Sequence, residues 1–144
     1  MRLFLLLCIT WTVFSSCEKD EFDRLGDRLE GTWAFTEARQ QITNKPFSTF
    51  YSIYSYYDGD EMTFYRDETV AYVEANGDIW DGEWSYYAIS SGDDREYVLS
   101  VILTNSRGTV QHKVWHTNGL GERNRLLLRS EDKDYKSRYV LWRQ

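Results

Sequence analysis

The chain has 144 residues, a formal net charge of −6 and aromatic side chains at 17% of its positions. Residues 17–144 hold all 23 acidic residues and 16 of the 17 basic ones, which leaves them a net charge of −7. This charge repels phosphates, so we expect no nucleic-acid partner. The length fits a single domain, and abundant tyrosine and tryptophan with a single proline favour strands over helices.

The first 16 residues have the pattern of a signal peptide. Arg2 supplies the positive start, and a predominantly apolar run follows from residue 3 to residue 14. A membrane-spanning helix needs about 20 apolar residues, so this run is too short to be one. A buried core helix is the alternative, but the run has no polar face. We therefore expect residues 1–16 to be removed from the mature protein.

The sequence Phe14-Ser15-Ser16-Cys17 resembles a lipobox, in which small residues precede a cysteine that is acylated after cleavage. The resemblance implies that Cys17 becomes the first residue and carries fatty acyl chains such as palmitate. Lys19, Asp20 and Glu21 follow closely and resemble the surface-export signal of Bacteroidota lipoproteins. A solvated acidic tether is the alternative interpretation. We expect a lipid-anchored protein of the outer membrane, exposed at the cell surface.

Residues 17–30 are predicted to form a lipidated tether ahead of the folded domain. Leu25 and Leu29 are four residues apart, a spacing that favours one short helical turn leading into the domain. Cys8 leaves with the signal peptide and Cys17 carries lipid, so no thiol remains for a disulfide. The domain at residues 31–144 must therefore be stabilised by its core.

Turn signals such as Asn76-Gly77 recur about every dozen residues along the domain. Between them, alternating apolar and polar residues indicate strands. The predicted strands are 31–42, 48–57, 61–66, 69–75, 79–87, 95–104, 109–117, 123–130 and 135–143. No run is long enough for a crossover helix. The pattern predicts an all-β fold, an antiparallel up-and-down barrel of about eight strands, with a sandwich as the alternative.

Gly31-Thr32-Trp33 begins the first predicted strand and resembles the Gly-x-Trp signature of the lipocalins and of lipocalin-like lipoproteins of the Bacteroidota type. The resemblance implies that Trp33 plugs the closed end of a barrel and that an arginine near the C-terminus packs on its ring. Arg143 is the first candidate and Arg138 the second. Such a cation–π contact contributes about 1–2 kcal/mol when desolvated. Gly82-Glu83-Trp84 repeats the triplet in mid-chain.

The same resemblance implies a binding domain for a small apolar or amphipathic ligand. The candidate ligand-binding residues are Phe50, Tyr54, Tyr56, Phe64 and Trp84. The first three lie in the aromatic segment 47–57, which we place near the barrel mouth, with two-sided packing as the alternative. An eight-stranded barrel can also be filled by side chains. The alternative function is therefore a filled barrel that acts as a protein- or glycan-interaction module.

Patterns that would indicate a metal or catalytic site are weak. His112 and His116 share one face of a strand but lie about 13 Å apart, so we expect them to line the barrel and not to bind zinc. The acidic segment 58–61 fits a turn better than a calcium loop. Asp81 and Glu83 could act as a glycosidase pair only if both carboxyl groups faced one sugar about 5–10 Å apart, and the predicted strands do not align them in this way. Without a catalytic triad, a nucleophilic cysteine or a phosphate loop, we expect neither enzymatic activity nor a cofactor.

Overall fold

The structure of the protein is a computed structural model that describes residues 26–91, 94–117 and 124–144. For residues 90, 91, 94 and 95 it describes the backbone alone. The predicted signal peptide and most of the predicted tether lie outside these ranges. So do Cys17 and the export residues Lys19, Asp20 and Glu21.

The described residues form one antiparallel sheet of nine strands that closes on itself. The strands are β1 (Gly31–Ile42), β2 (Tyr51–Ser52), β3 (Glu61–Phe64), β4 (Thr69–Val73), β5 (Ile79–Ser91), β6 (Asp94–Asn105), β7 (Val110–Thr117), β8 (Arg125–Glu131) and β9 (Tyr135–Arg143). Strands β3 to β9 follow chain order, and β1 pairs with both β3 and β9. Eight strands thus form a closed barrel, with β2 as an extra strand beside β1. The predicted all-β, up-and-down barrel of about eight strands is confirmed.

Eight of the nine predicted strands are present with small shifts at their ends. The strand predicted at 48–57 is wrong, because within this segment only Tyr51–Ser52 pairs with β1. The Ile53 amide still donates to the Ala38 carbonyl at 2.9 Å, and the chain then folds into a single 3-10 turn at Tyr54–Tyr56. Ser52 Oγ accepts a hydrogen bond from the Tyr54 amide at 3.3 Å, just before the 3-10 turn.

Alternate residues of every barrel strand point inward and fill most of the interior. The largest fully buried side chains are Trp33, Phe64, Met62, Leu99, Leu103, Leu126, Leu128 and Leu141. They come from β1, β3, β6, β8 and β9, so the core depends on closure of the sheet rather than on any one hairpin. Nine register pairs join β1 to β9 and leave no open edge between the first and last strands.

One end of the barrel, which we call the closed end, is covered by a short helix at residues 26–29. Trp33 is 1% exposed beneath it, and the indole Nε1 donates to the Leu29 carbonyl at 2.8 Å. The Arg143 guanidinium lies 4.9 Å from the centre of the Trp33 ring and donates to the Arg28 carbonyl. The structure therefore brings Trp33 and Arg143 together as predicted. Leu29 is buried in the same core, so the folded domain begins before Gly31.

The two Gly-x-Trp triplets need glycine for different physical reasons. Gly31 has a φ of 125°, a conformation that residues with a Cβ rarely adopt. At Gly82 a Cβ atom would lie 1.8 Å from the Ile102 carbonyl oxygen and 3.0 Å from Leu103 Cα. Strands β5 and β6 therefore approach each other closely at Gly82, as expected for a glycine at a bend within a barrel strand. The mid-chain triplet is a packing requirement of the barrel wall.

We expect Trp33→Ala to lower the free energy of unfolding by about 3–5 kcal/mol, because it removes a fully buried indole and its hydrogen bond to Leu29. Trp142→Ala is the matched control, since Trp142 is on the outer face of β9 and 42% exposed. Urea denaturation followed by circular dichroism measures both. Equal losses in the two variants would contradict the role of Trp33 at the closed end.

We expect Gly82→Ala to destabilise the protein by about 1–3 kcal/mol or more, because the backbone of β6 must move away from β5. Gly77→Ala is the matched control: Gly77 has a positive φ of 89° but no atom within 4 Å of an added Cβ. In the control, only the backbone strain of an alanine at positive φ lowers the free energy of unfolding, by about 1 kcal/mol. A Gly82→Ala variant as stable as Gly77→Ala would show that the contact relaxes without cost. Thermal denaturation compares the two.

Candidate functional site

A cavity of about 280 Å³ lies toward the opposite end of the barrel, which we call the open end, where the β4–β5 and β8–β9 turns lie. Its lining includes residues 112–115 of β7 and residues 130–132 at the end of β8. Within the described ranges these two strands pair in register only at His116 and Arg129. The cavity is therefore located where the barrel wall between β7 and β8 is least tightly paired. We call it the open-end cavity.

Aromatic rings form the inner wall of the open-end cavity. Phe35 of β1 stacks on Tyr57 with ring centres 5.1 Å apart. Tyr57 meets Tyr139 of β9 edge to face at 5.4 Å, and Trp115 of β7 meets Tyr139 at 6.3 Å. Interlocked rings of this kind hold their geometry and offer apolar surface to a ligand. Burial and a hydrogen bond with Tyr139 raise the pKa of Tyr57, which keeps its hydroxyl protonated.

A buried carboxylate supports the polar side of the cavity. Asp60 is 4% exposed, accepts a hydrogen bond from the Tyr72 hydroxyl, and accepts another from the Ala75 amide at 2.9 Å. Burial and the bond to Asp60 raise the pKa of Tyr72, so Tyr72 remains a hydrogen-bond donor. This network fixes the Tyr72 ring, which lines the cavity.

Lys113 is the cationic group of the cavity. It lies on the inner face of β7, and its Nζ is 5.8 Å from the centre of the Tyr72 ring. Burial lowers the pKa of the Lys113 ammonium, while the charges of Glu74 and Asp60 act in the opposite direction. No carboxylate of the described residues forms an ion pair with Lys113. The cavity thus combines aromatic walls with a cation, an arrangement suited to an amphipathic molecule with an anionic or hydrogen-bond-accepting group.

Two predicted ligand residues are corrected by the structure, because they are packed into the core. Phe64 is 1% exposed, and its ring meets that of Trp84 edge to face at 5.5 Å. Trp84 is 5% exposed, stacks on Tyr86, and donates its indole hydrogen to the Tyr65 carbonyl at 3.1 Å. Their packing fills the space in which we expected a ligand. The edge of Trp84 reaches a separate cleft at the closed end.

The other three predicted ligand residues lie outside the open-end cavity. Phe50 lies on the outer face of the barrel, with its ring 4.3 Å from the Arg138 guanidinium carbon. Tyr54 donates its hydroxyl to Asp58 at 2.9 Å, and Tyr56 is 80% exposed. From the same aromatic segment, Tyr57 reaches the cavity instead. The segment predicted to lie near the mouth thus contributes Tyr57 to the cavity, while the three predicted rings lie outside it.

The expectation that the histidines line the barrel is wrong. His112 and His116 alternate with Lys113 and Trp115 on β7 and therefore point outward. His112 Nε2 and Ser100 Oγ are 2.8 Å apart on this outer face. Within the described residues no carboxylate forms an ion pair with His112, so the pair lacks the third member of a catalytic triad.

Sequence reasoning missed Lys113 and Trp115, although a signal for them was present. Gln111, Lys113 and Trp115 alternate with His112 and Val114, and the inward position of Trp115 sets the phase of the strand. The same phase places Lys113 inside the barrel. A lysine two residues before an inward tryptophan, and therefore on the same face of the strand, is the unusual feature of this strand.

Within residues 26–91, 94–117 and 124–144, no three histidine, cysteine, aspartate or glutamate side chains are grouped so that they could hold a metal ion. The same part of the chain contains no helix with the length and apolar character needed to cross a membrane. Comparison of the chain with protein-family models, with curated proteins and with solved structures found no match.

Proposed function

We propose that this protein is a surface-anchored lipoprotein whose barrel binds a small amphipathic molecule, without catalysing a reaction on it. The observation that carries the proposal is the open-end cavity, in which aromatic walls and the Lys113 amine converge. At about 280 Å³ the cavity suits a molecule of one or two rings, or a short acyl chain, better than a long fatty acid.

The lining favours a ligand with an acidic or strongly accepting group. A purely apolar ligand would leave the Lys113 amine with a poorer environment than water provides, which costs free energy. An anionic group near Lys113 would replace that lost hydration. The ring of Trp115 and the stacked pair of Phe35 and Tyr57 would contact the apolar body. We therefore narrow the predicted class of apolar or amphipathic ligands to amphipathic ones.

The interaction module is the second candidate function, and the exposed aromatic side chains favour it. Phe47 is 101% exposed with a φ of 64°, and Tyr56 is 80% exposed. Exposed rings on an ordered turn are typical of surfaces that contact another macromolecule. The filled core at the closed end fits this alternative too.

Lys113→Met should raise the Kd of the anionic two-ring probe naphthalene-1-sulfonate about tenfold, because it removes the cation and keeps the length of the side chain. Probe fluorescence at constant ionic strength measures the change. Tyr56→Ala is the control and should leave the Kd unchanged, since Tyr56 lies outside the cavity.

Binding of the same probe should weaken as the pH rises through the lowered pKa of Lys113, since the amine then loses its charge. In Lys113→Met this pH dependence should disappear. Saturable binding that Tyr56→Ala abolishes and Lys113→Met leaves intact would favour the interaction surface instead. An absence of saturable binding would contradict the cavity proposal.

The membrane anchor is tested separately. Cys17→Ala should abolish acylation and move the protein to the soluble fraction or leave it uncleaved, because each buried acyl methylene contributes about 0.8 kcal/mol to membrane binding. Replacement of Lys19, Asp20 and Glu21 by alanine is the companion variant and should keep acylation while removing surface exposure. Metabolic labelling with a fatty acid and protease shaving of whole cells measure the two properties. Unmodified Cys17 in soluble native protein would contradict the anchor.

A further inference from the structure

A second concave surface lies on the outside of the barrel and adjoins the open-end cavity at Ser130 and Glu131, which border both. It has a volume of about 500 Å³ and is bordered by Phe50, Glu96, His116, Arg129, Lys136 and Arg138. We call it the outer groove. It runs from β6 across β7, β8 and β9 toward the β1–β2 edge, where Phe50 forms one side.

Basic side chains cross the outer groove in strict strand register. His116 is opposite Arg129, Arg129 is opposite Arg138, and Arg138 is opposite Arg39. Like charges directly opposite each other on adjacent strands are unfavourable. Three arginines in consecutive register therefore require compensation from negative charge. In a chain with a net charge of −6 such a row stands out from the surrounding surface.

Carboxylates compensate both ends of the row but not its centre. Glu96 lies 3.3 Å from Arg129 and 3.4 Å from His116. Glu37 lies 3.6 Å from Arg39. Of the carboxylates in the described part of the chain, none forms an ion pair with Arg138.

The contact that the structure gives Arg138 is with an aromatic ring. Its guanidinium carbon lies 4.3 Å from the centre of the Phe50 ring. A ring against one face of a guanidinium leaves the in-plane N–H groups available for hydrogen bonds. The planar group is thereby oriented, and its donors remain available to the solvent and to the outer groove.

We propose that the outer groove binds a phosphate monoester, with Arg138 as the anchoring residue. A guanidinium binds phosphate through two parallel hydrogen bonds. A phosphate monoester carries a charge of about −1.5 to −2 at neutral pH and three acceptor oxygens, so it can accept both hydrogen bonds from Arg138 and keep an oxygen for Arg129, which shares Glu96 with His116. Both oxygens of a carboxylate would be occupied by Arg138. The groove has room for the organic part of the ester beside Phe50.

Phenyl phosphate and inorganic phosphate are the probes, titrated into the purified protein by calorimetry with chloride adjusted to constant ionic strength. Arg138→Gln should raise the Kd of phenyl phosphate about tenfold or more, as expected for loss of a charged hydrogen-bond pair. Arg107→Gln removes the same charge from the exposed β6–β7 turn and should change the Kd less than about twofold. Inorganic phosphate should bind more weakly than phenyl phosphate at the same site.

Lys113→Met separates this proposal from the open-end cavity and should leave the Kd of phenyl phosphate unchanged. Loss of binding in Lys113→Met but not in Arg138→Gln would place the ester in the cavity and overturn the proposal. Equal affinity in the wild type and in Arg138→Gln would overturn it as well. Phenyl phosphate should also raise the melting temperature of the wild type and not that of Arg138→Gln. If chloride at the same ionic strength raised the melting temperature of the wild type equally, the effect would be general charge screening, and a specific phosphate site would be contradicted.

Discussion

The pairing of β1 with β9 is the constraint on which the rest of the structure depends. Nine register pairs join the two ends of the domain and close the sheet. Closure places Trp33 opposite Arg143, so the cation–π contact at the closed end follows from the same register. It also places Arg39 opposite Arg138 on the outer face. One pairing thus sets the core, the covered end and the row of basic side chains.

Closure also determines which half of the barrel is filled. Eight strands enclose little more space than their own side chains occupy. At the closed end Trp33, Phe64 and Trp84 take that space. Toward the open end, β7 and β8 diverge beside the cavity. A cavity therefore forms beside the strand pair that loosens.

Periodicity predicted the fold well but did not show which inward rings pack in the core and which line a cavity, and the reason is physical. Inward and outward positions alternate along each strand, so hydropathy alone places Met62 and Leu99 in the core. Whether an inward ring packs or lines a cavity depends on long-range neighbours. Trp84 and Trp115 both point inward, but Trp84 packs against Phe64 while Trp115 faces the cavity. The segment 48–57 misled because its rings mimic strand alternation, whereas the chain leaves the sheet in a 3-10 turn at Tyr54–Tyr56.

Lys113 and Arg138 show how an acidic domain can hold sites for anions. Each lies beside an aromatic ring and lacks an ion-pair partner among the described residues, one on the inner face and one on the outer face. Ring contact offsets part of the cost of holding the cation in place and leaves its N–H donors available. The net negative charge weakens long-range attraction of anions, so recognition must come from short-range hydrogen bonds. Binding of this kind favours a ligand whose shape matches the surrounding rings over one that is merely negatively charged.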